Sequence, residues 1–402
     1  CGAACSIRRL RLDPKMLVIL NISDTVLDPL TGRVHPAHQS DWIQGACNYQ
    51  TGSIDLSYAS DLHGNTIPDF SYVGYRNGAH RLPFAPTAFT ANAVEGEADA
   101  TLRLQALIDQ VSALPLNSST GLRGALELGP GIFRINTTLV IQASGVVIRG
   151  AGCGGNQTSA DTAVTTILST SRISGTVLIA VHSPGYSNNR LEELPGTRVA
   201  INDTYVAAGS VQITVADASS FRAGDCVVVE RSSTAAWIES IGMDNIPDCT
   251  PPACRQWDPS SYSLKYERHV VSVDLASHRL TLDVPLVHPI QQSKGFGGGA
   301  VYRVGWTGQG RSARVGIEDL KLDSVYTLGQ EDEDENHAWK AIELNAVEDS
   351  WVVRVSCWHF GSNCVDATKS ASKITVANSS SYDQVSRITG GRRYSFNVDG
   401  SL

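Results

Sequence analysis

The sequence predicts an all-β fold, built as a parallel β-solenoid in which short strands stack coil upon coil. Three observations indicate this fold: a turn-rich composition, strand motifs that recur at a regular spacing, and one helix ahead of the first strands. The chain has 402 residues, of which 36 are glycine and 42% are hydrophobic. A chain of this length can bury a large core, and short apolar runs separated by Gly, Ser and Thr are typical of β proteins.

The repeat lies in the C-terminal third of the chain. Ile317, Val352 and Ile374 occupy the same place in GIEDLKLD, WVVRVSCW and KITVANSS, at separations of 35 and 22 residues. AIEL and NCVD repeat the separation of 22, which places Ile342 over Cys364. Two short strands that recur about every 22 residues are the pattern of a parallel solenoid. The longer coil carries 13 extra residues within 326–338, which predicts a loop there.

The remaining elements agree with this stack. Residues 95–114 have a helical apolar pattern, and GALEL, GIFRI, TLVI and GVVIRGAG follow as short β runs, so one helix caps the first coils. Longer alternating strands at 197–290 predict an inserted antiparallel β subdomain. The predicted organisation is an N-terminal extension (1–64), solenoid entry with cap helix and first coils (65–196), the insertion (197–290) and the solenoid continuation (291–402). The last segment stops within a strand pattern, which favours a truncated solenoid.

Composition narrows the partners. A net charge of -8 and a pI near 5.7 argue against a nucleic-acid partner, which needs clustered Lys and Arg. Met16–Leu20, the longest apolar stretch near the start, is too short to span a bilayer. Six Asn-X-Ser/Thr sequons predict a secreted glycoprotein, and we expect it to be a monomer; the sequons are at Asn21, Asn117, Asn136, Asn156, Asn202 and Asn378.

The nine cysteines form an odd set, so at least one is unpaired or bonds another chain. Cys249 and Cys254, in CTPPAC, are the best local candidates for a disulfide bond. Cys1 and Cys5 are a second possible pair. None of the cysteine spacings is that of a zinc site.

Residues 67–78, IPDFSYVGYRNG, are followed by the predicted helix and by LELGPGIFRI and LVIQASGVVIRGAG. This succession resembles the entry segment and first coils of the pectate-lyase-like superfamily, over roughly residues 65 to 400. The resemblance implies a right-handed, single-stranded parallel β-helix that is extracellular and handles polysaccharide. The NTD, DD, GHG and RIK motifs of its hydrolase branch with paired aspartates are absent from this sequence, which disfavours polygalacturonase-type hydrolysis.

The predicted loop contains five consecutive carboxylates, Glu331 to Glu335. Elimination on a uronic-acid polymer requires a cation beside the substrate carboxylate, a base and an acid. Asp332, Asp334 and Glu335 are candidate Ca²⁺ ligands, since Ca²⁺ prefers several hard oxygens. His337 is a candidate base or acid and Trp339 a stacking platform for a sugar ring. The alternative is that the run of acids is only a solvated loop.

Two further groups belong to the predicted site. His359 follows its strand, and Ser381, Tyr382 and Asp383 follow the strand of the next coil, so these residues should lie on one flank. Arg392 and Arg393 either bind a uronate carboxylate without metal or pair with the acidic segment. We expect the catalytic residues to be Asp334, His337, His359, Arg392 and Arg393, and the substrate-binding residues to be Trp339, Tyr394 and Asp383.

The sequence therefore predicts a secreted protein that binds an acidic polysaccharide and cleaves it as a lyase, with calcium as the expected cofactor. One alternative is a glycoside hydrolase, in which Asp334 works with Asp366 or Asp383 across the scissile bond. The other is a non-catalytic wall or adhesion protein that uses the solenoid as a rigid sugar-binding rod.

Overall fold

The computed structural model describes residues 60–67, 69–154, 163–188, 190–251, 254–259, 262–368 and 370–399. It also describes the backbone of four short N-terminal strands, which pair antiparallel in two hairpins: Thr25–Leu27 with Val34–Pro36, and Ile43–Asn48 with Ser53–Tyr58. The predictions for the Cys1–Cys5 pair, for the 16–20 stretch and for the sequons at Asn21 and Asn156 lie outside the described residues.

The chain divides into two compact units. The larger unit comprises Phe70–Arg198, Lys265–Glu267 and Tyr302–Leu402, and the smaller comprises Cys1–Asp69, Val199–Leu264 and Arg268–Val301. Within the described residues, no helix has both the length and the apolarity needed to cross a bilayer.

The larger unit is a parallel β-helix, which confirms the predicted fold class. Its principal strands pair in parallel from coil to coil. In chain order these strands are Thr87–Ala91, Gly124–Leu128, Gly131–Ile135, Leu139–Ile141, Val146–Gly152, Thr165–Ser169, Thr176–His182, Ser312–Ala313, Gly316–Ser324, Ala338–Asn345, Val347–Trp358, Asn363–Ala367, Ser372–Ala377, Ser380–Tyr382 and Phe396–Val398. The strand Leu191–Glu193 pairs antiparallel with residues 304–306.

The two longest strands of the parallel β-helix, Gly316–Ser324 and Val347–Trp358, turn a corner in the middle. Asp319 and Arg354 stand at this corner with positive φ of 57° and 54°, and the Arg354 Nη2 donates to Asp319 Oδ2 at 2.8 Å. The corner divides the ten-stranded sheet into a side before it, called side A, and a side after it, called side B. Side B consists of residues 131–135, 165–169, 320–324, 355–358 and 380–382. The five-stranded sheet, from Leu139–Ile141 to Phe396–Val398, is side C.

The observed register corrects part of the predicted repeat. Ile317 pairs with Val352, as expected, but Val352 pairs with Val376 rather than Ile374, so this coil has 24 residues. On side C, Ile342 pairs with Val365 instead of Cys364. A slip of two residues keeps every side chain on the same face, so the apolar pattern does not detect it. The apolar pattern also does not detect the shift of one residue on side C, because Cys364 and Val365 are both buried.

The core lies inside the coils and is closed by the helix α1, Thr101–Ala113. Phe133, Ile167, Leu322 and Cys357 are register partners on side B, and all four are almost fully buried. On α1 the buried side chains Leu104, Ile108 and Val111 follow the helical spacing of one face, and they belong to the same apolar cluster. The predicted cap helix is therefore present, with shorter bounds than 95–114.

Side A is covered by the segment that precedes the first strand. The Tyr75 ring packs edge-on against Trp351, with centroids 5.5 Å apart, and its backbone N–H donates to Thr375 Oγ1 at 2.8 Å. Beneath this cover, Glu318 accepts from Trp351 Nε1 at 2.7 Å and from Arg149 Nε at 2.8 Å. Short 3₁₀ helices occur at Phe70–Tyr72, Tyr75–Gly78 and Tyr186–Asn188. Glu318 thus connects Trp351 and Arg149 beneath the covering segment.

The smaller unit is antiparallel, in agreement with the predicted insertion. Its strands are Val199–Ala200, Tyr205–Val206, Gln212–Thr214, Cys226–Arg231, Arg279–Leu282 and Ile290–Gln291, with most of Leu264–Asp274 and the first three residues of Gly299–Trp306. It also contains a short α-helix, Ala235–Ser240, and a 3₁₀ turn, Ser293–Gly295. The predicted Cys249–Cys254 disulfide is present.

Candidate functional site

A row of partly exposed side chains crosses the outer face of side B. Arg134, Leu168, Asp323, Trp358 and Tyr382 are register partners on five successive strands. Because side chains alternate along a strand, the residues next to them point into the core and these point outward. We call this row the side B ladder. It brings together residues that are far apart in the sequence.

The C-terminal end of the ladder, Trp358 and Tyr382, is aromatic. The rings of Trp358 and Tyr382 stack with centroids 4.4 Å apart and planes at 27°. The Lys321 ammonium lies 5.0 Å from the Trp358 ring centroid and 3.1 Å from Asp323 Oδ2. The Trp358 indole nitrogen is buried and has no hydrogen-bond partner among the described residues. This part of side B combines a flat apolar surface with one cation.

His359 and Asp323 form a hydrogen-bonded pair beside the aromatic stack. The His359 Nδ1 donates to Asp323 Oδ1 at 2.8 Å, and the His359 and Asp323 side chains are 24% and 15% exposed. The Tyr326 ring lies against the imidazole, with centroids 4.9 Å apart. In the neutral imidazole this hydrogen bond places the proton on Nδ1 and leaves Nε2 as a proton acceptor. Such a pair is suited to act as a general base oriented by a carboxylate.

The backbone of the turn that carries His359 is tightly defined. His359 has a positive φ of 63°, a conformation that costs a non-glycine residue free energy and persists only where surrounding contacts enforce it. Its N–H donates to the Tyr382 carbonyl at 3.2 Å. A disulfide bond between Cys357 and Cys364 closes the same turn, and both cysteines lie in the core. The turn is therefore fixed to the strands on either side.

The structure places Asp334 in a structural role within the loop. Its carboxylate is only 4% exposed and accepts hydrogen bonds from the N–H groups of Thr327 at 2.7 Å and Asn336 at 2.9 Å, and from Arg172 Nη2 at 2.9 Å. Burial opposes ionisation, but these hydrogen bonds outweigh it and lower the pKa of Asp334 to about 2. At neutral pH this group is ionised and has no proton to donate to a leaving group.

His337 is completely buried, and both ring nitrogens are engaged. Its Nε2 donates to the Val385 carbonyl at 2.8 Å, and its Nδ1 accepts from the Ser324 hydroxyl at 3.1 Å. Burial lowers the pKa of His337, although the Val385 carbonyl acts in the opposite direction. In this position the imidazole joins the loop to two coils and does not reach the surface.

The outer acids of the segment pair with arginines of the following turn. Glu333 accepts from Arg387 Nε at 3.0 Å. Glu335 accepts from Arg392 Nε at 3.0 Å. The third pair joins Arg393 Nη2 to Asp332 Oδ1 at 2.6 Å. These contacts match the alternative in which the arginines pair with the acidic segment.

The predicted calcium ligands do not converge. Among the residues that the structure describes, no group of three or more His, Cys, Asp or Glu side chains is placed to hold a metal ion. Asp332 pairs with Arg393, Glu335 with Arg392 and Asp334 with Arg172. The expected calcium site therefore gains no support from this geometry.

Two of the predicted binding residues contact residues 335–392 around the acidic segment, and the third follows the ladder. The Trp339 Nε1 donates to the Glu335 carbonyl at 2.9 Å, and the Arg392 guanidinium lies 4.0 Å from its ring centroid. Tyr394 is about half exposed, with its hydroxyl bonded to the Gly390 carbonyl. Asp383 is exposed and directly follows Tyr382 of the ladder. Of these three, Asp383 lies nearest in sequence to the ladder.

The hydrolase alternative involves Asp366 on side C. Asp366 is the register partner of Glu343, and the Lys340 ammonium lies 2.6 Å from Asp366 Oδ2 and 2.5 Å from Glu343 Oε2. Burial opposes the charge on Lys340, but hydrogen bonds to the two carboxylates outweigh it and raise the pKa of Lys340. The carboxylates of Asp366 and Glu343 are thus already paired with the Lys340 ammonium.

Sequence reasoning selected His359 but missed Asp323, Lys321 and Tyr326. Asp323 precedes His359 by 36 residues, and the two meet because a coil of 35 residues puts Asp323 opposite Trp358, the residue before His359. A signal was available, since the alignment of GIEDLKLD with WVVRVSCW puts Asp323 opposite Trp358. The sequence also contains a signal for the Cys357–Cys364 disulfide, because the two cysteines bracket the predicted turn.

Comparisons with known proteins give distant similarity only. No family model matches the chain. No curated protein matches it. Among solved structures, the tailspike protein gp49 from Pseudomonas phage LKA1 is 18% identical with a TM-score of 0.33, over 69% of this chain and 34% of that one.

Two other tailspikes have comparably low sequence identity and TM-scores. The Gp54 tailspike of Acinetobacter baumannii bacteriophage AP22, in complex with A. baumannii capsular saccharide, is 8% identical with a TM-score of 0.25, over 70% of this chain and 43% of that one. The Pseudomonas phage phi297 tailspike gp61 is 13% identical with a TM-score of 0.26, over 74% and 49%. The chain thus spans between a third and a half of these proteins, and the scores support no inference about its ligand.

Proposed function

We propose that the side B ladder binds an acidic polysaccharide and that His359 cleaves it by β-elimination. The observation that carries this proposal is the hydrogen bond from His359 Nδ1 to Asp323 Oδ1, formed beside a partly exposed aromatic stack. Extracellular location, glycosylation and membership of the pectate-lyase-like superfamily belong to the same proposal. They agree with a disulfide-containing parallel β-helix.

The residues take the following roles in the proposed reaction. Asp323 holds the imidazole so that Nε2 faces the substrate and takes the C5 proton of a uronate. The electrons of the C5–H bond form the C4–C5 double bond, and the C4–O bond breaks. The leaving oxygen takes a proton from the Tyr326 hydroxyl or from water. The Lys321 ammonium neutralises the uronate carboxylate, which makes the C5 proton more acidic.

Binding uses the aromatic part of the ladder. Sugar rings present C–H faces that pack on flat aromatic side chains, and the Trp358–Tyr382 pair offers such a surface next to a cation. Elimination suits this site better than hydrolysis does. A glycosidase needs one protonated carboxyl group, whereas Asp334 is ionised at neutral pH and Asp366 is held by Lys340.

The test is the ultraviolet absorbance of unsaturated uronate during incubation with a panel of uronic-acid polysaccharides. We expect absorbance to rise for the unmodified protein and to be lost in His359→Ala. His182→Ala is the matched control, because His182 is a partly exposed histidine on side C. New reducing ends without absorbance would indicate a hydrolase. Binding without either signal would leave the ladder as a non-catalytic polysaccharide site.

A further inference from the structure

Three arginines between residues 387 and 393 each hold one carboxylate of residues 326–337. We call the first segment the arginine turn and the second the acidic loop. The pairs are Arg387 with Glu333, Arg392 with Glu335 and Arg393 with Asp332, at 3.0, 3.0 and 2.6 Å. The acidic loop thus presents a row of carboxylates to a row of guanidinium groups.

The acidic loop has other anchors that fix its position. Asp334 binds Arg172 and two backbone N–H groups, and His337 is buried between Ser324 and Val385. In addition, the Ser386 N–H donates to the Glu331 carbonyl at 3.0 Å. The three outer ion pairs are therefore not required to hold the loop in place.

The Arg387–Glu333 pair is exposed enough to exchange with a ligand, and so is the acid of the Arg393–Asp332 pair, whereas both side chains of the Arg392–Glu335 pair are about one-quarter exposed. The side chains of Glu333 and Asp332 are 68% and 71% exposed, and that of Arg387 is 61% exposed. Ion pairs in such positions contribute little free energy and weaken with salt. A polymer with regularly spaced carboxylates can compete for these arginines.

We infer that the arginine turn is a carboxylate-binding site for an acidic polysaccharide, and that the acidic loop occupies it in the absence of that ligand. In this arrangement the carboxylates of Asp332, Glu333 and Glu335 stand in for those of the polymer. Trp339 lies under Arg392, and this cation–π contact holds the guanidinium in place at the edge of the arginine turn. The inference rests on the proposed function for its ligand class, but not on the elimination step.

The consequence is that the acidic loop competes with the polysaccharide and lowers its affinity. Neutralising the three outer acids should remove the carboxylates that compete for the arginines without moving the loop. The variant Asp332→Asn/Glu333→Gln/Glu335→Gln is predicted to bind oligogalacturonate about tenfold more tightly at low salt, as expected from three weak pairs acting together. The gain should shrink at high salt, because the ligand contacts are also ionic.

Isothermal titration in the His359→Ala background measures this affinity while the ligand stays intact. The control variant is Asp109→Asn/Glu192→Gln/Glu193→Gln, which removes three exposed carboxylates from other elements and changes the net charge equally. A gain only in the acidic-loop variant, lost again when Arg387 and Arg393 are changed to Gln, supports the inference. An equal gain in both variants, or none, overturns it. Neutral oligosaccharide should show no difference.

Two further measurements accompany the titration. Circular dichroism should show the same fold for all variants; if the triple variant unfolds, Glu333→Gln alone, at the most exposed pair, should give a smaller gain in affinity, and no gain overturns the inference. The elimination assay runs in parallel on the His359-containing protein. A gain in affinity without absorbance supports the arginine site and refutes only the lyase reaction. Absorbance without a gain in affinity refutes the arginine site alone.

Discussion

His359 and Asp323 come from adjacent coils, and their side chains meet at 2.8 Å because the strands that carry them are in register. Among the described residues, this pair is the one place on side B where a proton acceptor and its orienting carboxylate lie together next to the aromatic stack of Trp358 and Tyr382. The first prediction concerns this contact.

Asp323→Asn should lower the rate of elimination by about a hundredfold or more, the usual range for loss of a positioned acid–base group. The amide lacks the charge that selects the proton on Nδ1 of His359. The ¹⁵N chemical shifts of the imidazole should therefore report a changed tautomer mixture. Unchanged shifts together with an unchanged rate would contradict the role of Asp323.

Trp358→Phe should change the free energy of unfolding by less than about 0.5 kcal/mol, because the indole N–H that it removes is buried without a partner. The stack on Tyr382 should persist. Trp358→Ala should weaken polysaccharide binding, since it removes the stacking surface. Chemical denaturation and titration calorimetry separate the two effects, and a large loss of stability in the Phe variant would show that the N–H is satisfied.

Asp334→Asn should flatten the acid side of the stability profile. The folded pKa of about 2 lies below the ordinary value of 3.8, so the ionised group stabilises the fold above that ordinary value. This stabilisation, about 2 kcal/mol, is lost as the pH falls from near 4 towards 2. Unfolding followed at a series of pH values tests this, and a variant with the unmodified slope would contradict it.

His337 should destabilise the protein in mildly acidic solution. Its pKa is lowered by burial, so the unfolded chain takes up a proton more readily than the folded one does. Stability is then complete above the ordinary value of 6.5 and falls as the pH drops below it. His337→Gln should lose stability at neutral pH but show a weaker dependence between about pH 7 and pH 5. Thermal unfolding over that range measures both effects.

Removing the Cys357–Cys364 disulfide should impair the site, whereas removing Cys249–Cys254 should not. Both bonds close short loops, with sequence separations of 7 and 5, so their effects on the unfolded chain are similar. Only the first closes the turn that carries His359. The double alanine variants should therefore differ in the pH profile of elimination. Equal profiles would show that hydrogen bonds alone fix the turn.

The fold was predictable from the sequence because glycine-rich turns, a cap helix and recurring apolar strands all point to the same architecture. The exact register was not, since a shift of two residues, from Ile374 to Val376 opposite Val352, leaves every side chain on the same face of the strand. The site was predictable only in part. His359 stands next to a turn signal, whereas Asp323 becomes its partner through the length of a coil that contains the acidic loop.

His337 and Asp334 illustrate the opposite error. A histidine beside five acids resembles a catalytic cluster in one dimension, but charge density along the chain does not reveal which groups face inward. Both side chains are buried and fully hydrogen-bonded. Burial depends on how the loop folds back over neighbouring coils, and local sequence carries no record of that path.

The side B ladder also has a regular spacing along the stack of coils. Neighbouring strands in a sheet lie about 4.8 Å apart, so each coil moves the surface forward by one fixed increment. A coil inserted between Leu168 and Asp323 would lengthen the reach of the surface by one such spacing, while the His359–Asp323 contact would keep its geometry. In such an architecture the length of polymer that is bound and the chemistry applied to it can change independently.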